Sequence, residues 1–310
     1  MIDLDGSPAD IKYFSRVTNQ VEIEKVYGDE FIRFLYGSPL GKTVSGVVTS
    51  RFFSQLYGYF QDLPSSKRKV APFIEKFNIK IDDYEPGTRP ALDIRHSYRS
   101  FNEFFIRQFK KGKRNWVEEP NRMGAFAEAR YVGFAEMDDT STYPVKGYNL
   151  RAKDLINDEE VYQDFEGGPL MIARLCPVDY HRYHYPDAGR VIKHFPIKGI
   201  YDSVNPIALR MKGEIFIKNE RHCSILETKN FGKIAYIEVG ATCVGKIVQS
   251  HQWSDEFNRG DEKGYFLFGG STVIVLGQKG LWKPSTDIIT NTKNGIETYL
   301  HLGDEVATKL

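Results

Sequence analysis

Cysteine is scarce in this 310-residue chain: Cys176, Cys223 and Cys243 are the only three, and none lies in a C-x-x-C pair. That spacing offers neither a disulfide framework nor a cysteine zinc site, and it suits a reducing compartment. An excess of either charge is also missing, with 42 Lys and Arg against 41 Asp and Glu. A dedicated nucleic-acid binder carries a marked basic excess, so nucleic acid is not an expected partner. Apolar runs are short, Val273-Ile274-Val275-Leu276 being typical, whereas a membrane span needs about 18 consecutive apolar residues. The acidic opening Met1-Ile2-Asp3-Leu4-Asp5 does not look like a secretory signal. No G-x-G-x-x-G, G-x-x-x-x-G-K-S/T or H-E-x-x-H occurs, which removes the dinucleotide, P-loop and zincin signatures.

What is present is the composition of a globular protein, 41% hydrophobic and 27% charged, with enough chain to bury a core. The even charge total hides an asymmetry. Residues 1–115 hold 19 basic and 14 acidic side chains, a net of +5 against −4 for the remainder, and 19 of the 42 aromatic residues. A basic, aromatic-rich segment suits contact with an anionic lipid surface; it suits equally a helical layer whose aromatics are core.

Helical signals fill that segment. Residues 29–36 are apolar-periodic up to Gly37, and Leu40, Val44, Val47, Val48, Phe52 and Leu56 recur at steps of three and four. Ser65-Ser66 is placed to cap a helix bearing Val70, Phe73, Ile74 and Phe77, and Ser100-Phe101-Asn102-Glu103 reads as a capping box. The basic run Lys110-Lys111-Gly112-Lys113-Arg114 makes an exit. Beyond residue 116 short runs dominate, around Ile234, Tyr236 and Val239, around Val244, Ile247 and Val248, and over residues 265–268 and 273–276. These suit strands. The expected architecture is α+β, a helical, membrane-associating N-terminal layer (1–115) on a mainly β catalytic domain (116–310).

Two clusters carry chemistry. In Asp179-Tyr180-His181-Arg182-Tyr183-His184-Tyr185-Pro186, two histidines lie three apart among aromatics. A metal site would need further ligands that no nearby Cys or carboxylate evidently supplies, so no metal is expected, and a structural role in an aromatic layer is the plainer alternative. In Phe268-Gly269-Gly270-Ser271-Thr272, the glycines and serine between strand-like runs fit a bulge or tight turn. They also fit a serine whose hydroxyl approaches the Gly270 carbonyl and, given a base, attacks its own peptide bond.

These clusters, with Lys263-Gly264-Tyr265-Phe266, Phe101-Asn102-Glu103-Phe104-Phe105-Ile106-Arg107, Val145-Lys146-Gly147-Tyr148, Ser203-Val204-Asn205-Pro206, Lys218-Asn219-Glu220-Arg221 and Val239-Gly240-Ala241 in the same order, resemble the phosphatidylserine decarboxylase family. The resemblance implies a proenzyme that cuts itself between Gly270 and Ser271, giving a β chain of residues 1–270 and an α chain of residues 271–310. Ser271 would become a pyruvoyl group, the covalent cofactor. Through a Schiff base with phosphatidylserine it would act as electron sink while carbon dioxide leaves and phosphatidylethanolamine forms. By the same carry-over His184 matches the base for the self-cleaving serine, and His181 the residue that assists decarboxylation. The family's third member is an aspartate in a Pro-Ala-Asp-Gly-Arg-like stretch. Here Phe126-Ala127-Glu128-Ala129-Arg130 stands in its place, so Glu128 carries the carboxylate roughly 1.5 Å farther out, a displacement able to cost on the order of 100-fold in a positioned reaction. The implied setting is the cytoplasmic side of the cell membrane, peripherally on anionic lipid, with a homodimer expected from the family. Two alternatives stand beside it: a pyruvoyl-dependent amino-acid decarboxylase, and an uncleaved phospholipid-binding relative.

Overall fold

The β-branched and aromatic runs of the second half form strands, and the strand bearing Val273, Ile274, Val275 and Leu276 lies near the middle of the largest sheet. The structure, a computed structural model, describes residues 11–24, 58–137, 142–143, 148–200, 214–240, 247–250, 256–268 and 271–310. The helical stretches expected over 29–36 and 40–56, together with Cys243, Val244, Gly269 and Gly270, lie outside the described residues.

In chain order the elements are β1 (Lys12–Ser15), β2 (Gln20–Ile23), α1 (Val70–Phe77), α2 (Phe101–Phe105), β3 (Arg122–Gly124), β4 (Ala129–Phe134), β5 (Thr142–Tyr143), β6 (Tyr148–Asn149), α3 (Ala152–Ile156), β7 (Leu170–Leu175), β8 (Arg182–His184), β9 (Gly189–Ile197), α4 (Ile215–Lys218), β10 (Arg221–Thr228), β11 (Gly232–Val239), β12 (Ile247–Gln249), β13 (Glu256–Phe257), β14 (Glu262–Phe266), β15 (Ser271–Gly277), β16 (Trp282–Pro284), α5 (Thr286–Lys293), β17 (Glu297–Leu300) and β18 (Glu305–Lys309). The fold is mixed α+β and mostly β. Among the described residues ten strands make one sheet in the order β13-β9-β10-β11-β15-β7-β4-β17-β1-β2, two further sheets of three strands are β12-β14-β8 and β16-β18-β3, and β5 pairs with β6. Every residue of β7 and β15 is buried, which is why their apolar residues fall in consecutive runs, 170–173 and 273–276, instead of alternating.

The N-terminus departs from the helical expectation. β1 and β2 form the edge of the large sheet, β1 running parallel to β17. Four-residue strands are too short to impose a period on the sequence, and tertiary pairing decides their conformation.

Helices do follow. α1 buries Val70, Phe73 and Ile74 as expected, but Ser66 does not cap it: Pro64 starts a 3-10 turn upstream, so both serines already lie inside that turn. Ser66 is buried instead, its hydroxyl accepting from the Phe101 N–H at 2.8 Å and donating toward the Gln61 and Leu63 carbonyls. The capping box at α2 forms in modified shape. Ser100 Oγ accepts from the Glu103 N–H at 3.2 Å, and Glu103 reaches back to the N–H of Arg99. Phe73, Tyr98, Phe101, Phe104 and Phe105 then build an aromatic core that includes Tyr180 and Phe268 from the β body. The described aromatics of this region thus serve mainly as core.

The basic run at 110–114 leaves the helical part as expected, with Lys111 and Lys113 exposed and several of its charges paired. Lys113 pairs with Asp83 at 2.9 Å, Lys110 Nζ donates to the Asp82 carbonyl, and Arg114 pairs with Glu128 while stacking on Phe109. Arginine keeps its charge when partly buried and spans a carboxylate with two N–H groups, so pairing with a buried anion outweighs solvation at the surface.

A second set of charges is sealed within the sheet. Arg130 of β4 lies 3.0 Å from Glu24 and 2.7 Å from Asp179; Arg174 of β7 contacts Glu24 and Glu297. Burial alone would raise the Glu24 carboxyl, yet the Arg174 and Arg130 guanidiniums hold it down at about 2. Removing one partner of such a group strands the others. Glu24→Gln should therefore lower the unfolding free energy by about 3 kcal/mol, read by urea denaturation at pH 7. Because the folded-state pKa of Glu24 is depressed, its stabilisation is present above the ordinary carboxyl range and fades as pH falls toward 2. A Glu24→Gln protein as stable as the parent at pH 7 would show that the network does not hold the edge hairpin.

Candidate active site

The site is built where β15 starts, β7 ends and β8 begins. Ser271, the first residue of β15, is fully buried and lies opposite Leu175 at the end of β7. After Leu175, residues 176–179 close a turn with the Asp179 N–H on the Cys176 carbonyl at 2.8 Å; Pro177 at its second position presets the backbone. Tyr180 and His181 follow and lead into β8. From the other side, the Phe268 N–H donates to Asn102 Oδ1 at 2.8 Å, so α2 holds the segment that approaches the Gly-Gly-Ser.

His181 is the histidine beside the serine. Its Nδ1 is 3.2 Å from Ser271 Oγ, and its Nε2 is 2.9 Å from the Cys176 carbonyl. A carbonyl only accepts, so Nε2 carries the hydrogen and the bare Nδ1 lone pair faces the serine hydroxyl. The ring stacks on Phe105 at 3.8 Å. Burial, helped by the nearby Arg107 charge, pushes its pKa down to about 3. His181 is thus a neutral acceptor throughout the physiological range.

His184 is held in the opposite tautomer. Its Nδ1 donates to the Gly260 carbonyl at 2.9 Å, and its Nε2 accepts from the Tyr180 hydroxyl at 3.2 Å. Burial lowers its pKa as well. Its backbone N–H bonds the Phe126 carbonyl, bringing the 126–128 stretch alongside. Glu128, buried, nevertheless turns its carboxylate elsewhere: it accepts from Arg114 Nε and Nη2, from the Tyr299 hydroxyl at 3.2 Å and from the Leu302 N–H at 3.3 Å. The structure brings Ser271 and His181 together. The hydrogen bonds of His184 and Glu128 go to other partners.

On the helical flank of Leu267 lies a cavity of about 410 Å³ whose lining includes Tyr98, Asn102, Arg107 and Arg182. Among the described residues no group of three or more His, Cys, Asp or Glu side chains is arranged to hold a metal ion. The pyruvoyl group that the motif implies would be made from Ser271 itself, and the residues fit that origin, with a serine hydroxyl within reach of an unprotonated imidazole nitrogen.

Sequence reasoning passed over Asp179, Tyr180, Phe105 and Arg114, which orient the histidines or occupy Glu128. The signal for Asp179 was available: a carboxylate two residues before a candidate catalytic histidine, in a turn marked by Pro177. Nothing short of the tertiary fold joins Arg114 to Glu128.

Comparison with known proteins identifies the family. A family model described as phosphatidylserine decarboxylase matches residues 101–307. The phosphatidylserine decarboxylase proenzyme of Clostridium kluyveri is 40% identical over 300 residues, covering 96% of this chain and 99% of that protein. Those of Clostridium perfringens (39% over 307 residues, 96% and 100%) and Desulfitobacterium hafniense (39% over 300 residues, 96% and 98%) are similar to the same extent. A family model covering most of the chain and relatives matched over nearly its whole length place this protein in the phosphatidylserine decarboxylase family.

Proposed function

We propose that the chain is a self-processing, pyruvoyl-dependent decarboxylase that converts phosphatidylserine to phosphatidylethanolamine and carbon dioxide. The observation that carries this reading is the bare Nδ1 of His181 at 3.2 Å from Ser271 Oγ. The similar proteins being named proenzymes supports the self-cleavage. A match that includes the N-terminal part favours the lipid over a free amino acid as substrate.

In maturation, His181 Nδ1 takes the hydroxyl proton as Ser271 Oγ attacks the Gly270 carbonyl carbon. The peptide C–N bond gives way to an ester C–O bond, and the proton passes from His181 to the freed amine. Loss of the Ser271 α-proton then expels the Gly270 carboxylate and leaves a double bond at residue 271, whose hydrolysis releases ammonia and yields the pyruvoyl end. An imidazole with so low a pKa is a weak base, but it never has to shed a proton first, and the event happens once per molecule. When formed, the pyruvoyl carbonyl supplies the electron sink for breaking the carboxylate bond. His181, fixed by the Cys176 carbonyl and Phe105, remains the group able to hold or move a proton at residue 271.

The chain is placed peripherally on the cytoplasmic side of the cell membrane. Among the described residues no helix is long and apolar enough to cross a bilayer. Tyr59 and Phe60 are 60% and 51% exposed, and the exposed Lys67, Arg68 and Lys69 stand on the nearby 3-10 turn. Aromatic rings beside cations suit the headgroup region of anionic lipid.

Three outcomes check these statements. Purified wild-type chain should run on a denaturing gel as two fragments, the smaller with a blocked N-terminus at residue 271, while Ser271→Ala stays uncut and inactive; a cut Ser271→Ala protein would remove the serine from the mechanism. His181→Ala should abolish cleavage and His184→Ala should only slow it, as timed in cell-free synthesis, and the reverse order would restore the division implied by the resemblance. Binding to phosphatidylserine-containing vesicles should weaken with added salt and in a Lys67→Glu, Arg68→Glu, Lys69→Glu triple variant. Equal flotation of both proteins at all salt concentrations would move the lipid contact elsewhere.

A further inference from the structure

The loop between Gly87 and Ser97 carries an apolar side chain that the fold holds out of the protein. Leu92 is 111% exposed, against 65% for Leu310, the next most exposed of the large apolar residues described. We propose that residues 90–92 are a wedge that enters an anionic phospholipid bilayer and seats the mouth of the cavity beside Leu267 at the level of the headgroups. The proposal rests on the peripheral membrane placement given above and names a surface that makes the contact.

A single exposed leucine is ordinary on a protein surface, but this one stands on a backbone with little freedom to withdraw it. The Arg89 N–H donates to the Ser97 carbonyl at 2.8 Å, and the Gly87 N–H to Ser97 Oγ at 2.7 Å. Ser97 Oγ in turn donates to the Ile94 carbonyl at 2.7 Å. The two stems run so close that a Cβ on Gly87 would lie 2.6 Å from the Ser97 carbonyl oxygen. Glu103 accepts from the N–H and the hydroxyl of Thr88 at 3.1 and 2.6 Å, and the Tyr98 hydroxyl donates to the Glu85 carbonyl at 3.1 Å. These bonds tie the loop to α2 and to the aromatic core, on which Ile94 also packs. Pro90 fixes its own φ and keeps Arg89 extended, and Pro90, Ala91 and Leu92 are all exposed. A tip already braced in this way loses little conformational freedom on entering a membrane.

The surroundings favour lipid over a protein partner. Residues 88–99 hold Arg89, Arg95 and Arg99 against one carboxylate, Asp93, a net of +2 with His96 neutral. Arg95 pairs with Asp93 and Glu75, whereas the guanidinium groups of Arg89 and Arg99 pair with no carboxylate among the described residues. Unpaired cations beside an apolar tip match the headgroup region of anionic lipid. Gly87 and Thr88 of the stem also line the cavity of about 410 Å³, together with Arg107, Arg182 and Leu267. Arg107 is buried and its Nε has no hydrogen-bond partner, a donor suited to a phosphodiester oxygen. Asp62, one helical turn from the exposed Tyr59, lines the same cavity. The two segments with exposed apolar groups thus share one cavity, and lipid contact by both brings its mouth to the depth of the phosphates.

Two measurements on purified full-length chain test the wedge. In Leu92→Trp, the fluorescence added over the parent chain should shift to shorter wavelength on binding vesicles of phosphatidylserine and phosphatidylcholine, and brominated acyl chains should quench it. Unchanged added emission from vesicle-bound protein would overturn the proposal and leave the peripheral placement intact; a parent chain that binds no vesicles would remove both. In Leu92→Asp the vesicle partition coefficient should fall roughly 10-fold. Decarboxylation of vesicle phosphatidylserine should fall by a similar factor, with decarboxylation of a monomeric short-chain phosphatidylserine unchanged. Equal partitioning of Leu92→Asp and parent, or an equal loss of activity on the monomeric lipid, would overturn the proposal. Should the parent chain decarboxylate neither lipid, the function proposed above fails, and the emission of Leu92→Trp still decides the wedge.

Discussion

Two arginines inside a β-sheet are the constraint around which this structure is organised. Arg130 and Arg174 occupy neighbouring central strands and face each other in the β4–β7 register, a placement that costs several kcal/mol per ion unless carboxylates come with them. Three do. Glu24 arrives from behind the N-terminal hairpin, Asp179 from the turn before His181, and Glu297 from the start of β17. Each lies far from the others in sequence, so satisfying two cations fixes the edge strands, β17 and the turn before His181 at once. Arg130 also lies over the Tyr13 and Tyr299 rings, at 4.4 and 5.3 Å, which seals the network from water.

The helical part is less a separate layer than one wall of the site. Phe105 lies flat against His181, Phe101 and Phe105 meet Phe268 edge-on, and Asn102 holds the Phe268 amide. Arg107, stacked on Tyr84 and Phe104, completes the wall by clamping the backbone ahead of His181. Packing and the candidate site draw here on the same side chains. A loss of aromatic volume in α2 would be felt by the histidine ring before it was felt by the sheet.

Much of this was legible in the sequence. β11 and β15 announced themselves as apolar, β-branched runs, the Ser100 capping box located α2, and both Ser271 and the histidine pair stood out as chemistry-bearing. What was not legible was who faces whom. Residues 181 and 184 lie three apart along an extended chain, and such residues point to opposite sides; one histidine at most can meet the serine, and spacing does not say which. Glu128 and Arg114 illustrate the same limit, since a buried carboxylate goes to the nearest strong donor the fold supplies. The edge hairpin was missed for a different reason, four-residue strands having no period to read.

The position of Ser271 at the head of β15 has one more consequence. A break before it would free a short chain that contributes β15 between β11 and β7, β17 between β4 and β1, and β18 beside β3. Such a fragment is woven through the sheets, with a strand buried along its whole length. Parting the two pieces would mean dismantling the large sheet, so a nicked protein would behave mechanically as one body. Its new chain end, unlike almost any other terminus, would begin life in the protein interior, already walled off from water on the day it forms.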